Sequence, residues 1–255
     1  MTIFTSAKPS GHITWADLLS KDPAVSRAFY QAVLGWHYDI GPAEFGGYAT
    51  ANAGKHTAAG IAGQMQEGPS MWQLYFASHD IKADVAKAVQ LGAKVLQEPI
   101  EVGPFGSMAV LTDPTGGHFA LWQAGMHIGA GVIDDHGAMG WHELYTPDAK
   151  KALAFYTALT GASSQPMQGA PTEYHMLSHG TSMLAGIMQI DPAWGNMPTE
   201  WVTYWHVVNI EAAVAAAQKA GGTLMGTIQD NPFGKQAALK DNTGANIKLF
   251  QPRAR

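Results

Sequence analysis

The sequence predicts an α+β protein of four βαβββ units arranged in two pairs, and three repeated patterns support this prediction. The segment WADL at residues 15–18 returns 126 residues later as WHEL at residues 141–144. A Phe-Tyr pair at residues 29–30 returns at the same offset, and an Asp-x-Thr-Gly turn at residues 113–116 returns 128 residues later. Ordered repeats with such a small drift in offset indicate an internal duplication.

The first unit of the first half shows one strand, one helix and further strand candidates. Residues 12–19 alternate apolar and polar side chains, as a half-buried strand does. Asp22-Pro23 then predicts a helix start, with Asp as the N-cap and Pro at the first helical position. An apolar stripe at helical spacing follows, and Gly35 ends the helix. The stripe consists of Val25, Phe29 and Val33, and the later strand candidates are residues 46–52 and 57–64.

The second unit repeats this order between Trp72 and Gln123. Residues 72–77 predict a strand. The stripe Ile81, Val85 and Val89 predicts a helix that is closed by Gly92. Three further strands are predicted at residues 94–98, 107–112 and 118–123, with the turn at residues 113–116 between the last two.

A Gly-rich segment separates the two halves. We predict a first domain over residues 1–123, a linker over residues 124–136 and a second domain over residues 137–255. In the second half, Thr146-Pro147 is predicted to open a helix that Gly161 closes. Asn209 is predicted to cap a helix that runs to Gly221.

Composition excludes several classes of protein. The formal net charge of −5 over 255 residues argues against a general nucleic-acid binder, which needs a basic face. The sequence has no cysteine, so it has no disulfide, thiolate metal site or cysteine nucleophile. It has no apolar run of about 18 residues to span a bilayer, and its start does not read as a secretory signal. We therefore expect a cytoplasmic protein without nucleic-acid or membrane partners, as a monomer or homodimer.

These repeats resemble the vicinal oxygen chelate superfamily, which includes glyoxalases, bleomycin-resistance proteins and extradiol dioxygenases. The resemblance covers residues 11–123 and 137–251, and its WADL and WHEL segments are similar to a branch named as hydroxylases or glyoxalase-like proteins. It implies that each pair of units curls into a cup of mixed sheet with the helices outside. In the metal enzymes of the superfamily, His, Gln or Glu side chains on the first and last strands of each unit hold a divalent ion.

The positions that the resemblance implies for metal ligands carry few suitable donors here. They fall on Trp15 and Trp141, on Gln73 and Val202, and on Ala120 and Lys248. Only the Gln73 side chain could bind a metal ion, and a cationic Lys248 would repel one. We therefore expect no cofactor, while a divalent metal remains the alternative if the ligand positions are shifted by a residue.

Alternation along the strands predicts which side chains face each cup. If Trp15 faces the first cup, Asp17, Gln73 and Tyr75 face it too, together with His118 and Trp122. The second cup then receives the following residues: Trp141, Glu143, Tyr145, Tyr204, His206, Asn246, Lys248 and Phe250. We predict Glu143, His206, Tyr204 and Lys248 as candidate catalytic residues, with Glu143 and His206 as a general base pair and Lys248 stabilising an oxyanion. Trp15, Asp17, Gln73, Tyr75, Trp141, Tyr145 and Asn246 are predicted to bind the ligand.

Structural roles are the competing interpretation of the same residues. Asp17 and Glu143 could bond the backbone at the floor of each cup or bridge its two units, and His206 could be a core histidine. The leading expectation is a small-molecule-binding protein of the glyoxalase and bleomycin-resistance type, with a metal-free aromatic cup for an apolar or aromatic ligand such as an antibiotic or polyketide. The alternatives are a metal-free isomerase or lyase using Glu143 and His206, a metal-dependent lyase or dioxygenase, and a regulator that binds a partner protein. The identity of the ligand stays open.

Overall fold

The computed structural model describes residues 1–64 and 67–253. In this part of the chain the α-helices are α1 (Pro23–Leu34), α2 (Ile81–Gln90), α3 (Ala149–Thr160) and α4 (Ile210–Lys219). The strands are β1 (Thr2–Ile3), β2 (Ile13–Ser20), β3 (His37–Ile40), β4 (Ala49–Ala53), β5 (His56–Gly63), β6 (Met71–Ala77), β7 (Lys94–Glu101), β8 (Gly106–Thr112), β9 (His118–Ala124), β10 (Val132–Ile133), β11 (Met139–Thr146), β12 (Ser163–Pro166), β13 (Tyr174–His179), β14 (Ser182–Gln189), β15 (Glu200–His206), β16 (Thr223–Asn231), β17 (Gly234–Lys240) and β18 (Asn246–Pro252). Short 3₁₀ turns lie at Ala43–Phe45, Gly103–Phe105 and Pro192–Trp194.

The predicted α+β fold of four βαβββ units is confirmed. The first half forms a sheet in the order β3-β4-β5-β2-β6-β9-β8-β7, and the second half forms the corresponding order β12-β13-β14-β11-β15-β18-β17-β16. In each sheet the first strands of two units, β2 with β6 and β11 with β15, pair antiparallel at the centre. The strands of each cup therefore come from one half of the chain.

Two short strands add a feature that the sequence patterns did not predict. Strand β1 pairs antiparallel with β10, which lies within the Gly-rich segment 124–136, and β10 continues into the second sheet through β11. The strand β3 was also missed, because it is only four residues long and three of them are exposed.

The helix ends follow capping chemistry, with some corrections. Asp22 caps α1 by accepting a bond from the Val25 backbone N–H at 3.1 Å, as predicted. Helix α3 begins instead after Asp148, which caps the Lys151 N–H, so the predicted start at Thr146-Pro147 was two residues too early. Such end positions depend on which of several adjacent polar residues takes the cap.

Two apolar stripes also need correction. Val25 is 41% exposed and Val89 is 47% exposed, whereas Ser26 and Ala88 take the buried positions on α1 and α2. The spacing of apolar residues identified the helices correctly. It could not tell which of two neighbouring residues at the edge of the stripe is buried, because the two lie only one position apart around the helix.

The repeated Phe-Tyr and Asp-x-Thr-Gly motifs join the two halves to each other. The Tyr30 hydroxyl of α1 donates to Asp241 of the second half at 2.8 Å, and the Tyr156 hydroxyl of α3 donates to Asp113 of the first half at 2.9 Å. Each carboxylate also accepts bonds from its own turn, for example from the Thr115 N–H at 2.6 Å. The motifs thus form two equivalent bonds across the interface between the halves.

Tryptophans complete this interface. Trp72 donates to the Tyr30 hydroxyl at 3.1 Å, and Trp201 donates to the Tyr156 hydroxyl at 2.8 Å. Trp205 also packs here, with its ring centroid 4.8 Å from that of Trp72. Aromatic burial of this size dominates the energetics of a core. The helix-side faces of both sheets are therefore turned toward each other, and the opposite faces form the cups. Among the described residues, no helix has the length and apolar character needed to cross a membrane.

Candidate functional site

The residues predicted to line the second cup share one face of its sheet. Cross-strand register pairs Trp141 with Tyr204, Tyr204 with Lys248, and His206 with Phe250. Directly paired residues point to the same side of a sheet, so these side chains converge on the concave surface. The intervening residues, such as Trp205, lie in the interface between the halves.

Glu143 is the centre of a hydrogen-bond cluster in the second cup. Its carboxylate accepts bonds from the hydroxyls of Tyr145 at 2.7 Å, Tyr174 at 2.9 Å and Tyr204. The residue is 7% exposed, so its carboxylate depends on protein groups rather than water for its hydrogen bonds. Three phenol donors compensate for the burial of a carboxylate, which would otherwise be strongly unfavourable. We call Glu143, Tyr145, Tyr174, Tyr204 and Lys248 the second-cup cluster.

Lys248 adds the positive charge. Its ammonium donates to the Tyr204 hydroxyl at 2.6 Å and to the Tyr145 hydroxyl, and lies 3.5 Å from the Glu143 carboxylate. Because both phenols also donate to Glu143, they form two short bridges between ammonium and carboxylate. The Lys248 side chain is 17% exposed, so it is the part of this ion pair that lies nearer to solvent.

Burial sets the protonation chemistry of the cluster. It lowers the pKa of Lys248 below its usual range, while the Glu143 carboxylate acts in the opposite direction. It raises the pKa values of Tyr145, Tyr174 and Tyr204 well above their usual range, and the neighbouring Glu143 charge raises them further. The three phenols are therefore neutral donors across the physiological pH range.

The first cup has the same frame with fewer polar groups. Asp17 accepts bonds from Trp15 Nε1 at 2.9 Å and from the Tyr48 hydroxyl at 2.6 Å. Burial raises the pKa of Asp17, and the polar groups of Tyr48, Tyr75 and Trp15 oppose that rise. His127 covers the Trp15 ring edge-on at 4.4 Å, and burial lowers its pKa to about 4.

The sequence patterns missed one tyrosine in each cup. Tyr48 and Tyr174 stand 126 residues apart, the offset of the WADL repeat, so the duplication itself carried the signal. Each lies over a repeated glycine. A Cβ at Gly60 would stand 1.9 Å from the Tyr48 hydroxyl, and a Cβ at Gly186 would stand 2.0 Å from the Tyr174 hydroxyl. These glycines provide the space through which each tyrosine reaches its carboxylate.

Other predicted residues lie on the cup faces but outside these clusters. Gln73 pairs across the strands with Asp17, but its amide donates to the Leu74 carbonyl. Asn246 donates to Glu200 at 2.7 Å. No hydrogen bond joins His206 to Glu143 among the described residues. The ring of His206 packs on Phe250 at 5.4 Å instead. The general base pair predicted from these two residues is therefore not assembled in this structure.

The structural alternative for the carboxylates holds in part, because Glu143 on β11 bonds Tyr204 on β15 and so bridges the two units of the second half. Asp17 and Glu143 accept bonds from side-chain hydroxyl and indole groups. Buried side-chain networks that are fully hydrogen-bonded hold their members in one arrangement. This arrangement leaves a functional role open to both.

The positions at which metal ligands would fall do not fit a divalent ion. In the second cup they carry Trp141, Val202 and Lys248, and the Lys248 ammonium already lies against Glu143. In the first cup Gln73 is the one potential donor among them. Within residues 1–64 and 67–253, no group of three His, Asp or Glu side chains is placed to hold a metal. A metal site needs several converging donors.

A cavity of about 220 Å³ lies apart from both clusters, beside the N-terminal segment. Lys8, Ala77 and Trp122 contribute to its walls. The Lys8 ammonium donates to the Ile13 carbonyl at 2.9 Å, and burial lowers the pKa of Lys8 to about 8. Neither Asp17 nor Glu143 lines this cavity, so it is separate from the clusters around these two carboxylates.

Two curled sheets, each built from two βαβββ units, define a protein of the vicinal oxygen chelate fold. Solved structures with this architecture support the assignment. The Mn(II)-bound glyoxalase of Novosphingobium aromaticivorans aligns over 95% of this chain and 82% of its own, with a TM-score of 0.64 and 16% identity. The 2,3-dioxygenase LapB of Pseudomonas sp. KL28 aligns over 98% and 94%, with a TM-score of 0.67 and 12% identity.

The chain belongs to the glyoxalase-like family. The family model for the glyoxalase-like domain matches residues 14–122. The Mycobacterium tuberculosis protein named "Putative glyoxylase CFP32" is 34% identical over 250 residues, which cover 95% of each chain. The anthracycline biosynthesis protein DauV of a Streptomyces species is 31% identical over 270 residues, covering 99% of this chain and 96% of its own.

Proposed function

We propose that the second cup is a metal-free binding site for a flat aromatic small molecule. The observation that carries this proposal is the second-cup cluster, in which Lys248 reaches solvent above a buried carboxylate and three phenols. Pockets for small molecules combine apolar walls with a few convergent polar groups. The cluster supplies the polar groups, and the aromatic side chains beside it supply the wall.

The wall of this cup favours a planar ligand. Lys248 pairs across the strands with Ala238, and Ala238 pairs in turn with Met225, which is 48% exposed. Phe250 pairs with Gln236 in the next row. A half-exposed surface of methionine, alanine and phenylalanine packs well against a flat ring system. The name of DauV refers to anthracycline biosynthesis, and anthracyclines contain fused planar rings, which supports this ligand class.

The charge of the cup supports binding without a metal ion. The Lys248 ammonium is the cation next to Glu143, so a divalent ion at that place would meet direct repulsion. The Trp141 and Val202 side chains on the neighbouring positions offer no donor for such an ion. The cluster therefore takes the place of the metal as the polar centre of the cup.

A pair of matched blocking variants tests which cup binds. Ala238→Trp fills the wall of the second cup, and Val110→Trp fills the corresponding place in the first, where Val110 pairs with Ala120. We expect equilibrium dialysis with 1,8-dihydroxyanthraquinone to give one site per chain. Ala238→Trp should abolish binding, and Val110→Trp should leave it intact.

Metal content completes the test. Elemental mass spectrometry of the purified protein should show no stoichiometric divalent metal, and EDTA should leave dye binding unchanged. Loss of binding in Val110→Trp alone would assign the site to the first cup. One bound metal per chain that is required for dye binding would overturn the metal-free proposal.

Acid–base catalysis in the same cup is the second candidate. The bridges from Lys248 through Tyr145 and Tyr204 to Glu143 favour it, because a phenol can pass a proton between an ammonium and a carboxylate. A catalysed isomerisation or elimination would change the absorption or mass of the ligand during prolonged incubation. Tyr204→Phe should slow that change while retaining binding. An unchanged rate in Tyr204→Phe would remove this candidate.

A further inference from the structure

Lys248 has one donor that the second-cup cluster does not use fully. An ammonium group carries three N–H donors. Two are taken by the short bonds to the Tyr204 and Tyr145 hydroxyls, and the third meets the Glu143 carboxylate only at 3.5 Å, the limit of a hydrogen bond. An oxygen atom entering the cup can therefore bond Lys248 without displacing either phenol.

The net charge of the cluster restricts what that oxygen belongs to. One carboxylate and one ammonium cancel, and the phenols stay neutral because burial raises their pKa values. Transfer of the proton from Lys248 to Glu143 would leave the sum at zero as well. A second anion in this half-buried place would face the Glu143 charge without a cation of its own, which is unfavourable. A neutral acceptor oxygen meets no such penalty.

We infer that Lys248 binds the uncharged carbonyl oxygen of an aryl ketone or quinone, and that the ring system of this ligand lies along Ala238 and Met225. This inference rests on the proposed function and adds to it the chemical group that the cup recognises. The row Lys248, Ala238 and Met225 runs from the polar centre to the exposed edge strand β16. A planar ketone lying on this row places its oxygen at the ammonium and its rings on the apolar wall.

The proposed contact between Lys248 and a carbonyl oxygen differs from substrate binding by a metal ion. A metal ion binds two adjacent oxygens of a substrate at once, whereas the Lys248 donor that meets Glu143 only at 3.5 Å binds a single oxygen. A ligand with one carbonyl is therefore sufficient for this cup. The first cup cannot make the same contact, because Ala120 stands where Lys248 stands in the second.

Three probes with the same fused-ring system test the inference by calorimetry. They are 9-fluorenone, fluorene and 9-oxofluorene-2-carboxylate. The first two differ only in the carbonyl group, and the third adds an anion. We expect 9-fluorenone to bind about tenfold more tightly than fluorene, the ratio that one charge-assisted hydrogen bond contributes. The carboxylate should bind more weakly than 9-fluorenone.

Two double variants provide the comparison. Glu143→Gln with Lys248→Met removes both charges together, so no lone buried charge unfolds the protein. It should abolish the preference for 9-fluorenone while fluorene still binds. Glu211→Gln with Lys235→Met removes an exposed ion pair of the same composition and should leave the preference unchanged. The infrared C=O stretch of bound 9-fluorenone should shift to lower frequency in wild type only.

The outcomes separate the inference from the proposed function. Equal affinities for 9-fluorenone and fluorene, or a preference that survives in the Glu143 and Lys248 double variant, would overturn the inference while the aromatic cup stands. Tighter binding of the carboxylate would overturn the charge argument. Absence of binding for both fluorene and 9-fluorenone would reject the proposed function together with the inference.

Discussion

The two cups share one frame but differ in charge. Each has a tryptophan and a carboxylate on its first strand, and each has a tyrosine lying over a glycine. The first cup has Leu19 and Ala120 where the second has Tyr145 and Lys248. Among the described residues, the first cup therefore pairs its carboxylate with no cation, and the second contains an ion pair bridged by phenols. Duplication preserved the groups that build the cup, and the charged and phenolic groups on the cup faces differ between the halves.

Among the variants that distinguish the two cups, removal of Lys248 should change the free energy of unfolding the most. Lys248→Met leaves Glu143 buried without its cation, and breaking a buried pair in this way costs about 3 kcal/mol of unfolding free energy. Adding Glu143→Gln should restore most of that loss, because the remaining groups are neutral. Chemical denaturation of both variants measures this. If Lys248→Met is as stable as wild type, the ion pair is not part of the folded cup.

The glycines under the two tyrosines should show the next largest effect. A Cβ at Gly186 meets the Tyr174 hydroxyl, whereas a Cβ at Gly60 meets both the Tyr48 hydroxyl and an Asp17 oxygen, at 1.9 Å and 2.0 Å. Both Ala variants should lose about 1–3 kcal/mol, the usual range for overpacking. Gly60→Ala should lose more, because two polar groups must move.

Thermal unfolding of the two glycine variants measures the difference. Gly54→Ala is unsuitable as a control, since Gly54 has a positive φ of 61°. Gly63→Ala is a better control, because a Cβ there would approach nothing closer than 3.8 Å. Equal stability of Gly186→Ala and Gly63→Ala would show that Tyr174 does not need the space over Gly186.

The pH dependence of stability should separate the cups further. Burial raises the pKa of Asp17, so the folded state favours its protonated form. The resulting loss of stability is absent at pH values below the pKa of Asp17 in the unfolded chain. It grows as the pH rises toward the pKa of Asp17 in the folded protein, and it is complete above that second value. Each pH unit between the two pKa values corresponds to about 1.4 kcal/mol.

Asp17→Asn should remove this dependence. The difference in melting temperature between wild type and Asp17→Asn should therefore change across mildly acidic pH and become constant at higher pH. A difference that stays constant from pH 4 to pH 8 would mean that Asp17 titrates alike in the folded and unfolded states. Glu98→Gln, at an exposed carboxylate, is the control for general effects of charge.

Sequence patterns predicted the fold and the cup faces for a physical reason. Side chains alternate strictly along a strand, so placing Trp141 on the cup face also placed Glu143 and Tyr145 there. The link between Tyr174 and Glu143 was not predicted, because it joins strands that pairing brings together across 31 residues of chain. The separation of His206 from Glu143 could not be predicted either, since both share the face and only distance along the strands keeps them apart.

The bonds between the halves should show the smallest difference, and so they test whether the frame is truly equivalent. Tyr30 bonds Asp241 at 2.8 Å and Tyr156 bonds Asp113 at 2.9 Å, each with a tryptophan N–H as second partner. Tyr30→Phe and Tyr156→Phe each leave a buried carboxylate with one donor fewer, which costs about 1–3 kcal/mol. The two losses in denaturation experiments should agree within about 0.5 kcal/mol, and the double variant should show their sum, because the two tyrosines share no hydrogen-bond partner. Unequal losses would mean that the asymmetry of the cups extends into the interface between the halves. Equal losses would place the divergence of the halves in the cups alone, where the Lys248 and Glu143 variants measure it.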